Sequence, residues 1–199
     1  MTVKPDVKYT PEEYLKMERE ALYKSEYFDG EIFAMSGASR KHNLITLNVS
    51  SGLHQQLRKK KCEAYTNDMR VKISSTGLYT YPDIAVVCSP PQFDDAFSDT
   101  LLNPDVIVEV LSPSTEAYDR GAKFRNYRSV PSLSEYLMIH QDTCHVEHFV
   151  RQPNGAWLFQ EYLTSDDVLK IEAIGCELKL DDIYEKVDLA TYENMPVNR

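Results

Sequence analysis

The stretch Pro104–Thr115, PDVIVEVLSPST, carries the strongest structural signal in this sequence of 199 residues. Its β-branched run predicts a central strand over Asp105–Leu111 that is covered on both faces of a sheet. A second run, PDIAVVC, predicts a similar strand over Tyr81–Cys88. A single acid lies in or beside each apolar run, Asp83 in one and Glu109 in the other. The two strands therefore predict both the centre of the fold and a place where carboxylates meet.

The segments before these strands predict a helix, a hairpin and a second helix. Thr10 followed by Pro11 and two acids is typical of a helix start, and we expect that helix to end near Glu20. Asp29-Gly30 lies at the centre of Glu26–Met35 and predicts a β-hairpin. Apolar residues then recur every four positions within Arg40–Lys60, which is the period of an amphipathic helix.

The rest of the chain predicts further strands and two more helices. Pro113 is expected to end the preceding strand, and a helix is expected to follow from Glu116 or Ala117 to Arg128. The other expected elements are strands over Glu63–Ile73, Ser134–Ile139, Cys144–Arg151, Ala156–Tyr162 and Val168–Ile171 and a short helix over Leu180–Tyr184. This order predicts an α/β fold of the α+β type: a central mixed β-sheet flanked by helices, with extra C-terminal strands.

No linker or repeat divides the sequence, which predicts a single domain over residues 1–199. We expect its core to span about residues 10–162 and the polar tail, residues 186–199, to be loosely held. The N-terminus has no signal-peptide pattern and no run reaches 18 apolar residues, so we expect a cytoplasmic protein without a membrane span. The four cysteines are scattered, which predicts reduced, mostly buried thiols instead of a disulfide framework or a zinc site.

The charge balance limits how the protein could bind nucleic acid. The formal net charge is −9, from 31 acidic and 22 basic residues. Overall charge therefore disfavours nucleic-acid binding, which leaves only a local basic surface for that task, such as the cluster Arg58–Lys61. The alternative for this cluster is a solvated helix end that complements the helix dipole.

The two acids in apolar strands predict a metal site. A buried carboxylate costs several kcal/mol unless it is paired, protonated or bound to a metal. If the two strands are neighbours, Asp83 and Glu109 emerge at one edge of the sheet. Two carboxylates completed by water suit Mg²⁺ or Mn²⁺, which favour oxygen ligands. Such an ion would activate water against a phosphodiester, and a nearby lysine would offset the developing negative charge.

The run VEVLSPST is followed by the spaced pattern D-R-x-x-K-x-x-x-Y, which runs from Asp119 to Tyr127. This specific combination resembles the PD-(D/E)xK nuclease superfamily and, more closely, a bacterial group of Uma-type restriction-endonuclease-like proteins. Matches in order cover about residues 10–160. The other matching stretches are Phe28–Glu31, Met35–Ser39 with His42 and Asn43, Tyr81–Asp83, Pro104-Asp105 and Glu135-Tyr136.

The resemblance implies a metal-dependent endonuclease acting on DNA, with Asp83 and Glu109 as the Mg²⁺ or Mn²⁺ ligands and Lys123 as the third catalytic residue. The superfamily's lysine lies two residues after the second acid, where this chain has Leu111. The resemblance implies that the lysine has moved to the following helix. Many superfamily members are dimers, so a homodimer is a further expectation.

Four more residues are accessory candidates. Arg120 lies three residues before Lys123 and Tyr127 four residues after it on the expected helix. Both therefore share the helix face of Lys123, where they would contact phosphate. Glu31 and His42 match an acid and a histidine of the close family, and each is a candidate to approach the metal.

Each candidate also has a purely structural alternative. Asp83 could cap backbone amides at a strand edge, and Glu109 could form a buried ion pair with Arg120 or Lys123. Lys123, Glu31 and His42 could be ordinary surface residues, and structural or surface roles are expected for His140, His145 and His148. The functional alternative to an endonuclease is a catalytically inactive nuclease-fold protein that binds nucleic acid or a partner protein.

Overall fold

The computed structural model describes residues 7–189. The helices are α1 (Pro11–Glu20), α2 (Arg40–Leu57), α3 (Glu116–Tyr118), a π-helical turn (Asp119–Lys123), α4 (Phe124–Tyr127), a 3₁₀ helix (Glu172–Ile174) and α5 (Leu180–Ile183). The strands are β1 (Ser25–Phe28), β2 (Glu31–Ala34), β3 (Glu63–Thr66), β4 (Arg70–Ile73), β5 (Leu78–Thr80), β6 (Ile84–Val87), β7 (Thr100–Leu101), β8 (Val106–Leu111), β9 (Glu135–His140), β10 (Val146–Arg151), β11 (Trp157–Tyr162), β12 (Val168–Ile171) and β13 (Cys176–Lys179).

The predicted central strands are neighbours in a mixed six-stranded sheet of order β11-β10-β9-β8-β6-β3. β6 and β8 pair antiparallel with Ile84 opposite Val108, and β8 and β9 pair parallel. Every residue of β6 and β8 is buried, as expected of strands covered on both faces. The predicted mixed sheet flanked by helices is therefore confirmed.

The two faces of this sheet pack against different layers. On one face, Ile45, Val49, Leu53 and Leu57 of α2 contact side chains of β6, β8 and the C-terminal elements β12, β13 and α5. On the other, Ile107 and Leu111 of β8 pack in a second cluster with residues of β4 and β5 and with Phe124 and Tyr127. Burying these apolar side chains is the main stabilising contribution, at about 1.5–3 kcal/mol for each large residue.

The N-terminal helix and hairpin form as predicted. Thr10 and Glu13 make a reciprocal capping box at the start of α1, with Pro11 as the first helical residue. Asp29 and Gly30 have φ of 49° and 86°, the positive values that a tight hairpin turn between β1 and β2 requires. This hairpin belongs to a second sheet of order β2-β1-β5-β4-β7, which covers the β8 face that carries Ile107.

Several details of the predicted strands were wrong. The expected strand Glu63–Ile73 is two strands, β3 and β4, which belong to different sheets. A turn separates them, with the Met69 N–H donating to the Thr66 carbonyl across Asn67 and Asp68. The short strands β5, β7 and β13 were not predicted.

The prediction of four reduced thiols was wrong as well. Cys62 and Cys88 form a disulfide, while Cys144 and Cys176 are free. The bond follows from strand register: β3 and β6 pair antiparallel with Glu63 opposite Val87, which places the two cysteines opposite each other at the end of the ladder.

The C-terminal segment is better packed than predicted. Val187 and Leu189 are half-buried against the α2 core cluster, whereas the sequence predicted a loose tail from residue 186. The predicted looseness of residues 190–199 falls outside the described residues. Within residues 7–189, no helix combines the length and apolar character needed to cross a bilayer.

Candidate active site

Asp83 and Glu109 face each other across the two central strands. Glu109 alternates with Val108 and Val110 and so projects from the sheet face opposite α2. Continuing the pairing of Ile84 with Val108 by one residue sets Asp83 opposite Glu109. Asp83 Oδ2 also accepts a hydrogen bond of 2.7 Å from the Val110 N–H, which fixes the carboxylate at the strand edge.

Lys123 projects into the same place from the helical residues 116–127. Its Nζ lies 2.9 Å from Glu109 Oε1, 3.4 Å from Asp119 Oδ1 and 3.7 Å from Glu26 Oε1. The turn Asp119–Lys123 is π-helical, with the Phe124 N–H donating to the Asp119 carbonyl five residues earlier. Such turns are rare and recur at functional sites. This one directs Asp119 and Lys123 toward Glu109.

Two acids of the site, Glu26 and Asp119, were missed at the sequence level. Glu26 sits on β1, is 8% exposed, and accepts hydrogen bonds from Thr80 Oγ1 (2.5 Å) and Tyr118 OH (2.9 Å). The sequence carries no signal for Glu26, because its place depends on how the hairpin packs over β8. Asp119 did have a signal, since it precedes Lys123 by four residues and so shares its helix face. Glu31, the accessory acid that the resemblance implies, is exposed and does not line the cavity that these residues share.

His42 does approach the site. Ser39 caps α2 by accepting from the His42 N–H, and this places the histidine in the first helical turn. His42 Nε2 lies 3.2 Å from Asp83 Oδ2, and both side chains are 14% exposed. The imidazole therefore contacts the same carboxylate oxygen that accepts the hydrogen bond from Val110.

The electrostatics of the site are set by burial and excess negative charge. Glu109, Asp119 and Lys123 are each less than 5% exposed. Burial raises the pKa of the Glu109 carboxyl well above its ordinary value, and the Lys123 ammonium only partly opposes this. The pKa of Asp119 is raised for the same reason. Burial alone would lower the pKa of Lys123, but Glu109 and the other acids outweigh it and raise that pKa.

Of the two other helix candidates, Tyr127 reaches the site and Arg120 does not. Tyr127 is fully buried and its OH donates to Glu109 Oε1 at 3.3 Å. Arg120 turns away to bind Glu116 and Glu147, because in this helical stretch Asp119 takes the face of Lys123 instead. The contacts expected for purely structural roles are present as well. Asp83 caps the Val110 amide, and Glu109 forms a buried ion pair with Lys123.

A second cluster lies around Glu147. Among residues 7–189, the group of three metal-type ligands whose atoms lie within 4.8 Å of one another is His140, His145 and Glu147. Arg120 Nη2 lies 2.9 Å from His140 Nε2 and its guanidinium pairs with Glu147. A protein cation thus already neutralises this cluster. His148 is separate and buried, with Nε2 2.6 Å from Glu135 Oε2.

The carboxylates and Lys123 form the floor of a cavity of about 1300 Å³. Its walls come from the β1–β2 hairpin, the loop before α2, the loop after β8 and the helical residues 116–127. The cavity therefore connects these largely buried groups with the solvent.

The family model described as "Uma2: Putative restriction endonuclease" matches residues 11–181, which include every residue of this site. The chain belongs to the Uma2 family. Two similar proteins of Synechocystis sp. are both 39% identical to it. One, uncharacterized protein slr1290, aligns over 180 residues, 90% of this chain and 93% of its own length. The other, uncharacterized protein sll1609, aligns over 154 residues, 77% of this chain and 87% of its own length.

A solved structure shares the fold of this Uma2 chain. It is a crystal structure from Anabaena variabilis whose description is a putative nuclease belonging to DUF820. The TM-score is 0.72 at 19% identity, over 88% of this chain and 97% of the other. The Uma2 membership and the shared fold agree with the family resemblance and the fold class inferred from the sequence.

Proposed function

We propose that this protein is a metal-dependent endonuclease that hydrolyses phosphodiester bonds of DNA. One observation carries the proposal: three carboxylates surround one lysine on the floor of a cavity open to solvent, and a fourth carboxylate, that of Asp83, lies opposite Glu109. A fold needs no such arrangement for stability, because each buried charge costs desolvation energy. The Uma2 description and the nuclease description of the solved neighbour support the same reaction class.

The donor chemistry of the site fits a hard divalent cation. With all acids ionised, four carboxylates and one ammonium leave a net charge of −3. All the candidate donors are oxygens, which suit Mg²⁺ or Mn²⁺ better than softer metals. We assign the metal to Asp83 and Glu109, which face each other in register. Glu26 and Asp119 would compensate Lys123 once Glu109 turns to the metal.

The chain's own residues would orient and stabilise the reacting groups. The ammonium of Lys123, held by three acids, would donate to the attacking water or to a phosphate oxygen. His42 and the Val110 N–H would hold Asp83 in place. When bound, a divalent cation supplies a water of lowered pKa and offsets charge on the phosphate. The water oxygen would bond to phosphorus while the water gives up a proton to solvent, one P–O ester bond would break, and the leaving oxygen would take up a proton from solvent.

Cleavage of DNA with defined variants tests this proposal. Supercoiled plasmid and labelled oligonucleotides are incubated with Mg²⁺ or Mn²⁺. We expect Asp83→Asn and Glu109→Gln to lower the rate at least about 100-fold, because a bound metal would lower the activation free energy by several kcal/mol and these variants would lose it. Glu31→Gln is the matched control, since Glu31 is an exposed acid of the hairpin outside the cavity. Equal rates in Glu109→Gln and Glu31→Gln would overturn the assignment.

The alternative function is a nuclease-fold protein that binds nucleic acid or a partner without cutting. The observation that favours it is the engagement of Lys123 in ion pairs with three acids. Calorimetry with Mn²⁺ separates the two. Binding that disappears in the Asp83→Asn, Glu109→Gln double variant supports the enzyme, and no binding at millimolar Mn²⁺ supports the scaffold.

The homodimer remains part of the proposal. The edge strand β11 exposes Leu158 and Phe159, a pattern suited to pairing with a second copy. Light scattering tests it: a mass near twice 22.9 kDa supports a dimer, and a mass of 22.9 kDa contradicts it.

A further inference from the structure

Three aromatic side chains are exposed at the mouth of the cavity. Phe28 and Phe33 are 40% and 48% exposed, and both line the cavity. Tyr23, on the segment that leads into the hairpin, lines it too and is 83% exposed. Exposed aromatic rings gathered beside a polar site are typical of a binding surface.

Strand register brings these rings close to the reactive groups. Phe33 pairs directly with Glu26 across the hairpin, and Phe28 follows Glu26 by two residues. All three therefore project from the same face, while Tyr27 and Ile32 point into the aromatic cluster on the opposite face. Directly paired side chains start about 5 Å apart. A planar group stacked on Phe33 would thus lie next to the Glu26 carboxylate that contacts Lys123.

The depth of the site disfavours an intact duplex. Glu109 and Lys123 are 3% and 4% exposed at the cavity floor. A duplex keeps its bases stacked inside and presents two phosphate strands on a rigid convex surface. A single strand is narrower and offers unstacked bases, which bind aromatic rings of a protein.

The charge of the cavity also disfavours an intact duplex. Five of the lining residues are acids and three are lysine or arginine, and Lys24 and Lys123 among the latter already pair with acids. Duplex binding depends mainly on cationic contacts to phosphates. This cavity lacks a surplus of such contacts, so stacking must contribute a large share of the affinity.

We propose that the cavity binds an unpaired DNA strand, with bases stacked on Phe33 and Phe28 and the phosphate chain descending to Asp83, Glu109 and Lys123. The inference rests on the proposed nuclease function and narrows its substrate to single-stranded or locally opened DNA. Phe33 is then a specificity-determining residue, because it selects strands whose bases are free to stack.

Binding and cleavage are measured separately, so that the two proposals fail in different ways. Fluorescence anisotropy with Ca²⁺ in place of Mn²⁺ compares a labelled ten-nucleotide oligothymidylate with a ten-base-pair duplex. We expect the single strand to bind at least tenfold more tightly. Phe33→Ala should weaken that binding about 5- to 150-fold, the range for removing one stacked aromatic. Phe33→Trp should retain it.

Phe97→Ala is the matched control, because Phe97 is 71% exposed and lies outside the cavity. Circular dichroism verifies that each variant is folded. Equal binding of duplex and single strand, or equal loss in Phe33→Ala and Phe97→Ala, overturns the inference. Metal-dependent cutting of duplex that Phe33→Ala leaves unchanged overturns it as well, while the nuclease proposal stands. Absence of cutting on every substrate overturns the nuclease proposal itself.

Discussion

Replacing Lys123 by methionine removes the cation that compensates the buried acids. The ammonium lies 2.9 Å from Glu109 Oε1, and an interaction at this distance is worth about 6 kcal/mol at an effective dielectric constant of about 20. Proton uptake by Glu109 recovers part of that energy. We therefore expect the variant to lose about 3–5 kcal/mol of unfolding free energy at pH 8, as buried pairs do when one partner is removed.

The pH dependence of this loss has a defined sign. Without Lys123, the pKa of Glu109, which burial already raises, rises further in the folded state only. The folded variant then binds more protons than its unfolded chain, so its stability relative to wild type falls as pH rises. The loss should be smaller at pH 5.5 than at pH 8.

Urea unfolding followed by circular dichroism at both pH values measures the effect. Lys24→Met is the matched control, because Lys24 lines the same cavity but pairs with the exposed Asp68, and its loss should stay below about 1 kcal/mol. A loss for Lys123→Met below about 1 kcal/mol, or one that is equal at the two pH values, would refute the reasoning.

Two further predictions concern the rest of the fold. Reducing the Cys62–Cys88 disulfide, which closes a separation of 26 residues, should lower the unfolding free energy by about 3.5 kcal/mol; unchanged urea midpoints with and without reductant would contradict this. Burial raises the pKa of Glu147, but hydrogen bonds from His140 and Arg120 outweigh it and lower that pKa from 4.5 to about 2. Because a depressed carboxyl pKa stabilises the fold above the unfolded value, Glu147→Gln should cost about 3 kcal/mol at pH 7, and the difference from wild type should shrink as pH falls below about 4.5. A pH-independent difference in urea unfolding would count against the pairing.

The central strands, and the meeting of two of the three candidate catalytic residues, could be predicted because local signals and burial agree there. An acid within an apolar strand is costly, so Asp83 and Glu109 stood out without any knowledge of topology. Lys123 required the family resemblance, since its position depends on how residues 116–127 pack on the sheet. The π-helical turn that directs Lys123 has no marker in the sequence, whereas the four-residue spacing of Asp119 and Lys123 is a signal that places both on one helix face.

The missed features depend on contacts between distant segments. Glu26 reaches the site only because the hairpin sheet folds over β8. Glu31 projects from the same face of the hairpin, but it pairs with Phe28 beside the turn and lies outside the cavity. The disulfide depends on the pairing of β3 with β6, which no spacing of cysteines reveals. The segment Glu63–Ile73 forms two strands because a turn at Asn67 and Asp68 interrupts it. The strand-forming residues on either side of this turn made the segment resemble one continuous strand.

The most direct test of the metal-site assignment is a crystal soaked in Mn²⁺ and measured at a wavelength with strong manganese anomalous scattering. The assignment predicts an anomalous peak in contact with the carboxylates of Asp83 and Glu109. It also predicts that the peak disappears in Glu109→Gln. At millimolar Mn²⁺, a map without density at these carboxylates, or with a peak only at His140, His145 and Glu147, would contradict the assignment.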